Sequence, residues 1–192
     1  MNEILILYIL NKSQTTMYGL SKCINKNYGS ITKPSFGTLQ PALKKLEKKK
    51  YIFSSKFYTD GGKPYFYYSV TEEGLSYLKE KLLKNTSTNP TQFVSMTKIK
   101  ISCSDILNDS EREQLFNMLK TNLLKLKTET EQALSIQINI QIDKRRTDYP
   151  KIINEMLEKQ TTPAIKIIKE IEKNAKIETR EGRGLPLYQK TE

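Results

Sequence analysis

Apolar residues fill Ile4 to Leu10 almost without a break, a run that pattern alone leaves open between a buried strand and a buried helix. The next segment favours helix. Thr15 and Thr16 can cap a second helix running to about Lys26, with Met17, Leu20, Cys23 and Ile24 at helical spacing. Asn27–Lys33, around Tyr28-Gly29-Ser30, reads as a turn. A third helix follows, with Lys33 or Ser35 at its boundary, Pro34 fitting its first turn, and Leu39, Leu43 and Leu46 as one core stripe. Pro41 falls inside this pattern, so the helix either begins late or bends there. Tyr51–Tyr58 and Lys63–Val70 are rich in aromatic and β-branched residues and are separated by Asp60-Gly61-Gly62, which predicts a hairpin. Thr71 is a natural N-cap for a fourth helix to about Lys84, with Glu72 and Glu73 in its first turn. Three helices, a hairpin and a helix make the winged variant of the helix-turn-helix. In that arrangement the third helix lies in the major groove and the hairpin beside it.

Asn85–Gln92 is polar and forms the best domain boundary in the chain. Phe93–Ile101 stays open between an extended segment and a short helix. Asn108 with Glu111 three residues later is a capping box, and Leu115, Leu119, Leu123, Leu126 and Ala133 continue a helical stripe. Ile136 to Ile142 then alternates strictly, as a strand would. Helix is preferred across 135–143 because no partner strand is visible nearby. Asp148–Gln160 is helical in pattern, Thr162-Pro163 reads as a cap or kink, and Ile165, Ile168, Ile171 and Ala175 extend the stripe. Glu178–Glu192, with two glycines and a proline, reads as a flexible tail. The expected organisation is mainly α. A winged helix-turn-helix occupies 1–85 and a linker and connecting segment 86–107, followed by a long-helix dimerisation and effector domain at 108–177 and the tail at 178–192.

Charge narrows the partner. The net charge is +11, and residues 1–90 carry 14 Lys and no Arg against 6 acids, so +8 sits in the N-terminal half. Such a surplus suits a polyanion. No apolar run approaches the roughly 20 residues needed to span a bilayer. Met1–Leu10 lacks a basic flank and a cleavage site, so no membrane or export role is expected and the cytoplasm is the expected compartment. Cys23 and Cys103 match no metal spacing and read as buried inert thiols, with a redox-sensing pair as the alternative. The chain has no His, the commonest general base and metal ligand. Paired catalytic carboxylates, a Gly-rich phosphate loop and a metal cluster are all lacking in the pattern, so neither enzymatic activity nor a cofactor is expected.

Three local strings carry a resemblance. They are Met17-Tyr18-Gly19-Leu20 in the second helix, Ser35-Phe36-Gly37-Thr38-Leu39-Gln40-Pro41-Ala42-Leu43 in the third, and Gly62-Lys63-Pro64-Tyr65 to Thr71-Glu72-Glu73-Gly74 across the wing. Together they resemble the PadR family of bacterial transcriptional regulators, over roughly residues 4–83 by motif and beyond that by layout. The family's third-helix signature is a Ser followed by Gly-Thr-Leu-Tyr-Pro-Ala-Leu. This chain departs from it with Gln40 in place of Tyr, Tyr18 where His is frequent, and a single Lys63 where the wing often carries a basic run. The resemblance explains the tolerated Pro41. It also implies the longer family type, whose C-terminal helices dimerise and shape a small-molecule pocket, with Tyr8, Phe93, Met96, Phe116 and Met118 as pocket or core candidates.

The expected function is a homodimeric, ligand-responsive repressor that binds double-stranded DNA at a pseudo-palindromic operator. The alternative is a non-enzymatic interaction or plasmid-segregation module built on the same winged helix. Ser35 and Thr38 place hydroxyls near a helix N-terminus, where phosphate is favoured. Gln40 can pair with adenine. Lys33, Lys44, Lys45 and Lys63 can reach phosphates or bases, and Tyr18 and Tyr65 complete the candidate set, Tyr65 either packing in the hairpin or reaching DNA.

Overall fold

The computed structural model describes residues 1–85 and 90–139, with helical positions 155, 156, 159, 162, 163, 165, 166, 169, 170 and 173 beyond them. It divides into two units, Met1–Arg112 and Glu113–Glu192.

In the first unit the Ile4–Leu10 run forms helix α1 (Asn2–Lys12), with Ile4, Leu5, Ile6, Leu7, Ile9 and Leu10 all buried. A helix apolar on every side has to be central, and α1 touches the second, third and fourth helices and a strand. Burying each of these side chains contributes about 1.5–3 kcal/mol before the entropy of ordering is subtracted.

The hairpin is part of a three-stranded sheet rather than a two-stranded one. Thr15–Thr16 forms a short strand β1, β2 spans Ile52–Tyr58 and β3 spans Pro64–Val70, in the order β1-β3-β2. Thr15 pairs with Tyr68 and Thr16 with Tyr67. Two residues show no periodicity, so β1 leaves no trace in the hydrophobic pattern. Thr16 then caps helix α2 (Met17–Tyr28), its hydroxyl accepting the Gly19 N–H at 3.1 Å. Helix α2 runs two residues past the expected end at Lys26, taking in the start of the expected turn.

Helix α3 spans Phe36–Lys48 with Ser35 at its N-cap; Pro34 lies outside the helix and is buried, rather than sitting in the first turn. The helix runs through Pro41, and Leu39, Leu43 and Leu46 face the core. Its C-terminus closes as a Schellman motif: the Tyr51 N–H donates to the Leu46 carbonyl at 3.0 Å and the Lys50 N–H to the Glu47 carbonyl at 2.9 Å. That closure puts Lys50 at φ 59°, a position glycine usually fills. At the far end of the hairpin the Thr59 and Lys63 backbones pair, and Gly62 takes φ 74° in the turn between them.

Thr71 caps helix α4 (Glu72–Leu83) through the Gly74 N–H at 3.0 Å, as the capping pattern predicts. Gly74 lies so close to Tyr51 that an added Cβ would sit 2.0 Å from its carbonyl oxygen. Phe93–Ile101, open on sequence, lies within helix α5 (Pro90–Ser102). Lys100 of α5 is buried, and its Nζ donates to the Lys84 carbonyl beyond α4. A 3-10 turn at Ser104–Ile106 follows, bringing Asp105 to 2.6 Å from Lys12. Cys103 beside it is fully buried, and burial pushes its thiol up to about 12. Phe93 is buried, while Tyr8 and Met96 are half-buried.

Helix α6 (Asp109–Asn139) opens with the predicted capping box. The Glu111 N–H donates to Asn108 Oδ1 at 2.8 Å, and the Asn108 N–H to Glu111 Oε2 at 2.9 Å. Within the second unit Leu115, Phe116, Leu119, Leu123 and Leu126 are buried and Met118 is half-buried. The alternating run is helical as far as Asn139; its last residues, the start of the 148–160 segment and the 178–192 tail lie outside the described residues.

Candidate nucleic-acid interface

The leucine stripe of α3 faces inward, so the opposite face is left to solvent. It carries Phe36, Thr38, Gln40, Lys44 and Lys48, all exposed, with Gln40, Lys44 and Lys48 in one i, i+4 row. At the helix start Ser35 does not cap the backbone. Its Oγ lies 3.2 Å from the Thr38 Oγ1, so two hydroxyls stand together beside the first-turn N–H groups. Helix start, polar row and cations together form a surface able to donate to phosphates and read base edges. Lys33, just before the helix, is exposed and has no carboxylate partner among the described residues.

Lys45 is placed differently. Its ammonium lies 2.8 Å from Glu3 of α1. Glu3 also accepts from the Tyr77 hydroxyl of α4 at 3.1 Å. Burial pushes the Glu3 carboxyl up, but its bonds to Lys45 and Tyr77 outweigh this and hold it below the ordinary range. The Tyr77 ring stacks on Tyr51 at 4.3 Å, with Lys81 5.0 Å and Lys49 5.9 Å from its centre. This cluster ties α3 to α1 and α4. Nothing in the local periodicity announces it, because Glu3, Lys45 and Tyr77 come from three distant segments.

Tyr18, in the first turn of α2, is 68% exposed. It lines an open groove of about 740 Å³ along β3, together with Thr16, Tyr58, Tyr65 and Phe66. Tyr65 itself packs in the hairpin, its ring 5.9 Å from that of Phe57 and 5.8 Å from that of Tyr67. Lys63 is exposed at the turn, with its N–H bonded to Thr59 Oγ1 at 3.1 Å. The sequence-based set thus gathers around the α2 and α3 starts and the wing, except that Lys45 is engaged by Glu3 and Tyr65 by neighbouring rings.

Three wing residues outside that set are equally prominent. The β2–β3 register puts Lys56 opposite Phe66 and Tyr58 opposite Pro64, all on one face of the hairpin. Tyr58 and Phe66 are 60% and 42% exposed. The signal that could have found them is the hairpin register, which the position of the Asp60-Gly61-Gly62 turn sets.

Among the described residues no group of His, Cys, Asp and Glu could hold a metal ion, and no helix is long and apolar enough to cross a membrane.

Comparison with known proteins gives a consistent answer. The profile of the Transcriptional regulator PadR-like family matches residues 6–80. A search of curated proteins finds no match. Among solved structures, the chain is similar to a transcriptional regulator from Clostridium thermocellum, with 32% identity over 41% of this chain and 76% of that one and a TM-score of 0.39. It is similar to a PadR family transcription regulator from Clostridium difficile R20291, with 31% identity over 42% of this chain and 81% of that one and a TM-score of 0.36. It is also similar to Bacillus subtilis PadR, solved in complex with operator DNA, with 17% identity over 88% of this chain and 94% of that one and a TM-score of 0.43. With the family profile falling on the winged helix and 31% identity spanning 81% of a PadR-family regulator, the chain belongs to the PadR-like family of transcriptional regulators.

Proposed function

We propose that the chain is a sequence-specific, double-stranded DNA-binding repressor that works as a homodimer in the cytoplasm and answers to a small-molecule effector. Residues 1–85 bind one half-site of a pseudo-palindromic operator, and residues 108–177 join two copies. The observation that carries the reading is the solvent face of α3, where the Ser35–Thr38 hydroxyl pair, Gln40 and Lys44 stand in sequence beside an exposed wing. Hydroxyls and first-turn N–H groups suit phosphates, Gln40 suits an adenine edge, and Lys33, Lys44 and Lys63 supply steering charge. Dimerisation draws support from the apolar side chains of the second unit that one chain leaves open, Leu124 of α6 and Met156, 45% and 55% exposed, whereas the Leu115, Leu119, Leu123 and Leu126 stripe is already buried within the chain. The reading is tested by gel shift on the DNA upstream of the chain's own gene against random duplex. Tight binding to the former with a steep fall in affinity as salt rises is expected; equal affinity for both duplexes rejects a sequence-specific repressor.

A further inference from the structure

The two faces of the hairpin differ in character. One turns toward the helices: Ile52 is buried, and the Ser54 hydroxyl donates to Glu47 of α3 at 2.5 Å. The other carries Phe53, Ser55 and Phe57 from β2, set by the register opposite Ser69, Tyr67 and Tyr65 of β3. None of these six side chains is charged. Phe57 sits at the centre of the patch, its ring 5.9 Å from that of Tyr65 and 5.6 Å from that of Tyr67. Phe53 and Phe57 are 51% and 46% exposed. Residues 1–90 carry 14 lysines against 6 acids, so an uncharged aromatic face is out of keeping with the rest of this surface. Exposed rings clustered in this way mark a contact site.

We infer that this outer face of the sheet is a self-association surface, on which two copies of the chain pack ring against ring about a two-fold axis near Phe57, separately from any joining of copies through residues 108–177. Charge selects the occupant. A basic or an acidic partner finds no counter-charge on this face, whereas two copies, which repel wherever lysine meets lysine, can meet here without a like-charge pair. Hydrogen bonding selects it too. The hydroxyls of Ser55, Tyr65, Tyr67 and Ser69 each donate and accept, so the face is its own complement under a two-fold rotation. Area sets the strength. Two half-exposed phenylalanines and two partly covered tyrosines bury about 300–400 Å² per copy. The total is about half of a standard interface, which suits a weak contact with a Kd of about 0.1–1 mM. Such a contact counts when copies are held side by side on a common support that raises their effective concentration. One duplex is such a support under the DNA-binding reading above, where the contact would make binding of neighbouring copies cooperative. The contact itself does not depend on that reading.

The test is sedimentation velocity of the full chain, without DNA, over a concentration series from about 5 μM to 0.5 mM, a range that brackets the expected Kd from below. The variants are Phe57→Asp, Phe57→Lys and the Phe53→Ser/Phe57→Ser pair, each checked by circular dichroism and melting temperature. A dimer formed through residues 108–177 contributes equally to every variant, so the readout is the additional rise of wild type at high concentration. Wild type should show that rise. Phe57→Asp and Phe57→Lys should each lose it, because a two-fold contact near residue 57 sets like charges face to face. An equimolar mixture of the two should regain it, because Asp then faces Lys. The serine pair removes the rings without adding charge and should also lose the rise; it decides the matter if a charged variant melts early. A wild-type series that matches its variants overturns the inference, and so does a mixture that behaves like its separate components. No arm contains DNA, so either result leaves the DNA-binding reading standing, and that reading fails only by the gel shift described above.

Discussion

Replacing Gly74 by Ala should destabilise the protein, against the usual gain from removing a helical glycine. Alanine in place of glycine ordinarily improves a helix by about 0.8–1.0 kcal/mol. At Gly74 the added Cβ would fall 2.0 Å from the Tyr51 carbonyl oxygen and 2.9 Å from its carbon, where real Cβ atoms keep at least 3.0 Å. The obstacle is backbone, so no side-chain rotation relieves it and the start of α4 must move away from Tyr51 by roughly 1 Å. Overpacking of this kind costs about 1–3 kcal/mol or more. The shift also loosens the Thr71 N–H to Tyr51 carbonyl bond, now 3.0 Å, worth about 1 kcal/mol. The net loss is about 2–3 kcal/mol, or a fall in melting temperature of roughly 5–10 °C for a chain of this size. Gly37→Ala supplies the control. It lies in α3, where the nearest atom to a new Cβ is Ser35 Oγ at 3.7 Å, an ordinary contact. That variant should gain about 0.5–1 kcal/mol. Urea and thermal denaturation of the two variants against wild type are the assay. If Gly74→Ala melts at or above wild type, the close-approach account of this glycine is wrong.

Three further outcomes follow from the packing. Lys50→Gly relieves the left-handed φ of 59° that closes α3, and denaturation should show a gain of about 1 kcal/mol; a loss would mean that the Lys50 side chain outweighs its backbone strain. A thiol reagent at pH 8 should label one cysteine per native chain, Cys23, which is half-buried, while Cys103, with its thiol pushed up to about 12 by burial, reacts only in denaturant. Equal labelling of both thiols in the native protein would contradict the buried assignment. Lys100 is brought down to about 8 by burial, so between roughly pH 8 and 10.5 the unfolded chain holds this proton more tightly than the folded one, and its contribution to stability rises with pH. Lys100→Met should therefore stabilise the protein by about 1–3 kcal/mol at pH 7, with the advantage shrinking toward pH 10; a variant less stable at pH 7 would show that the bond to the Lys84 carbonyl dominates.

The parts of the fold that read directly from sequence are those set by neighbours along the chain. Leu39, Leu43 and Leu46 announce their stripe by spacing. Thr71 with Gly74, and Asn108 with Glu111, announce helix starts because each cap closes within one turn. What escapes is non-local. Lys45 looks like any other lysine of a basic helix until folding brings Glu3 beside it from more than 40 residues away. The Lys56, Tyr58 and Phe66 face depends on cross-strand register, which the alternation in β3 hints at but does not assign to an outer or inner side. Lys33, Ser35, Thr38, Gln40 and Lys44 were legible as candidates because they flank or occupy a single helix, where one stripe of leucines settles which side chains face out.

The two-residue strand β1 makes the loop before α2 intolerant of changes in length. Thr16 has two fixed obligations: its backbone pairs with Tyr67 of the wing while its hydroxyl holds the first turn of α2. One residue inserted or deleted at Ser13 or Gln14 would slide the pairing by one position and turn the Thr16 side chain to the opposite face of the sheet. The helix would then lose its cap, or the wing its outer strand. Length at Ser13–Gln14 is therefore held by register, whereas composition there is less restricted, since both residues are exposed and Gln14 makes a long 3.5 Å contact with the Ser69 hydroxyl. Productive drift in this family member should accumulate as substitutions at Ser13 and Gln14, with indels confined to connections that serve only one element.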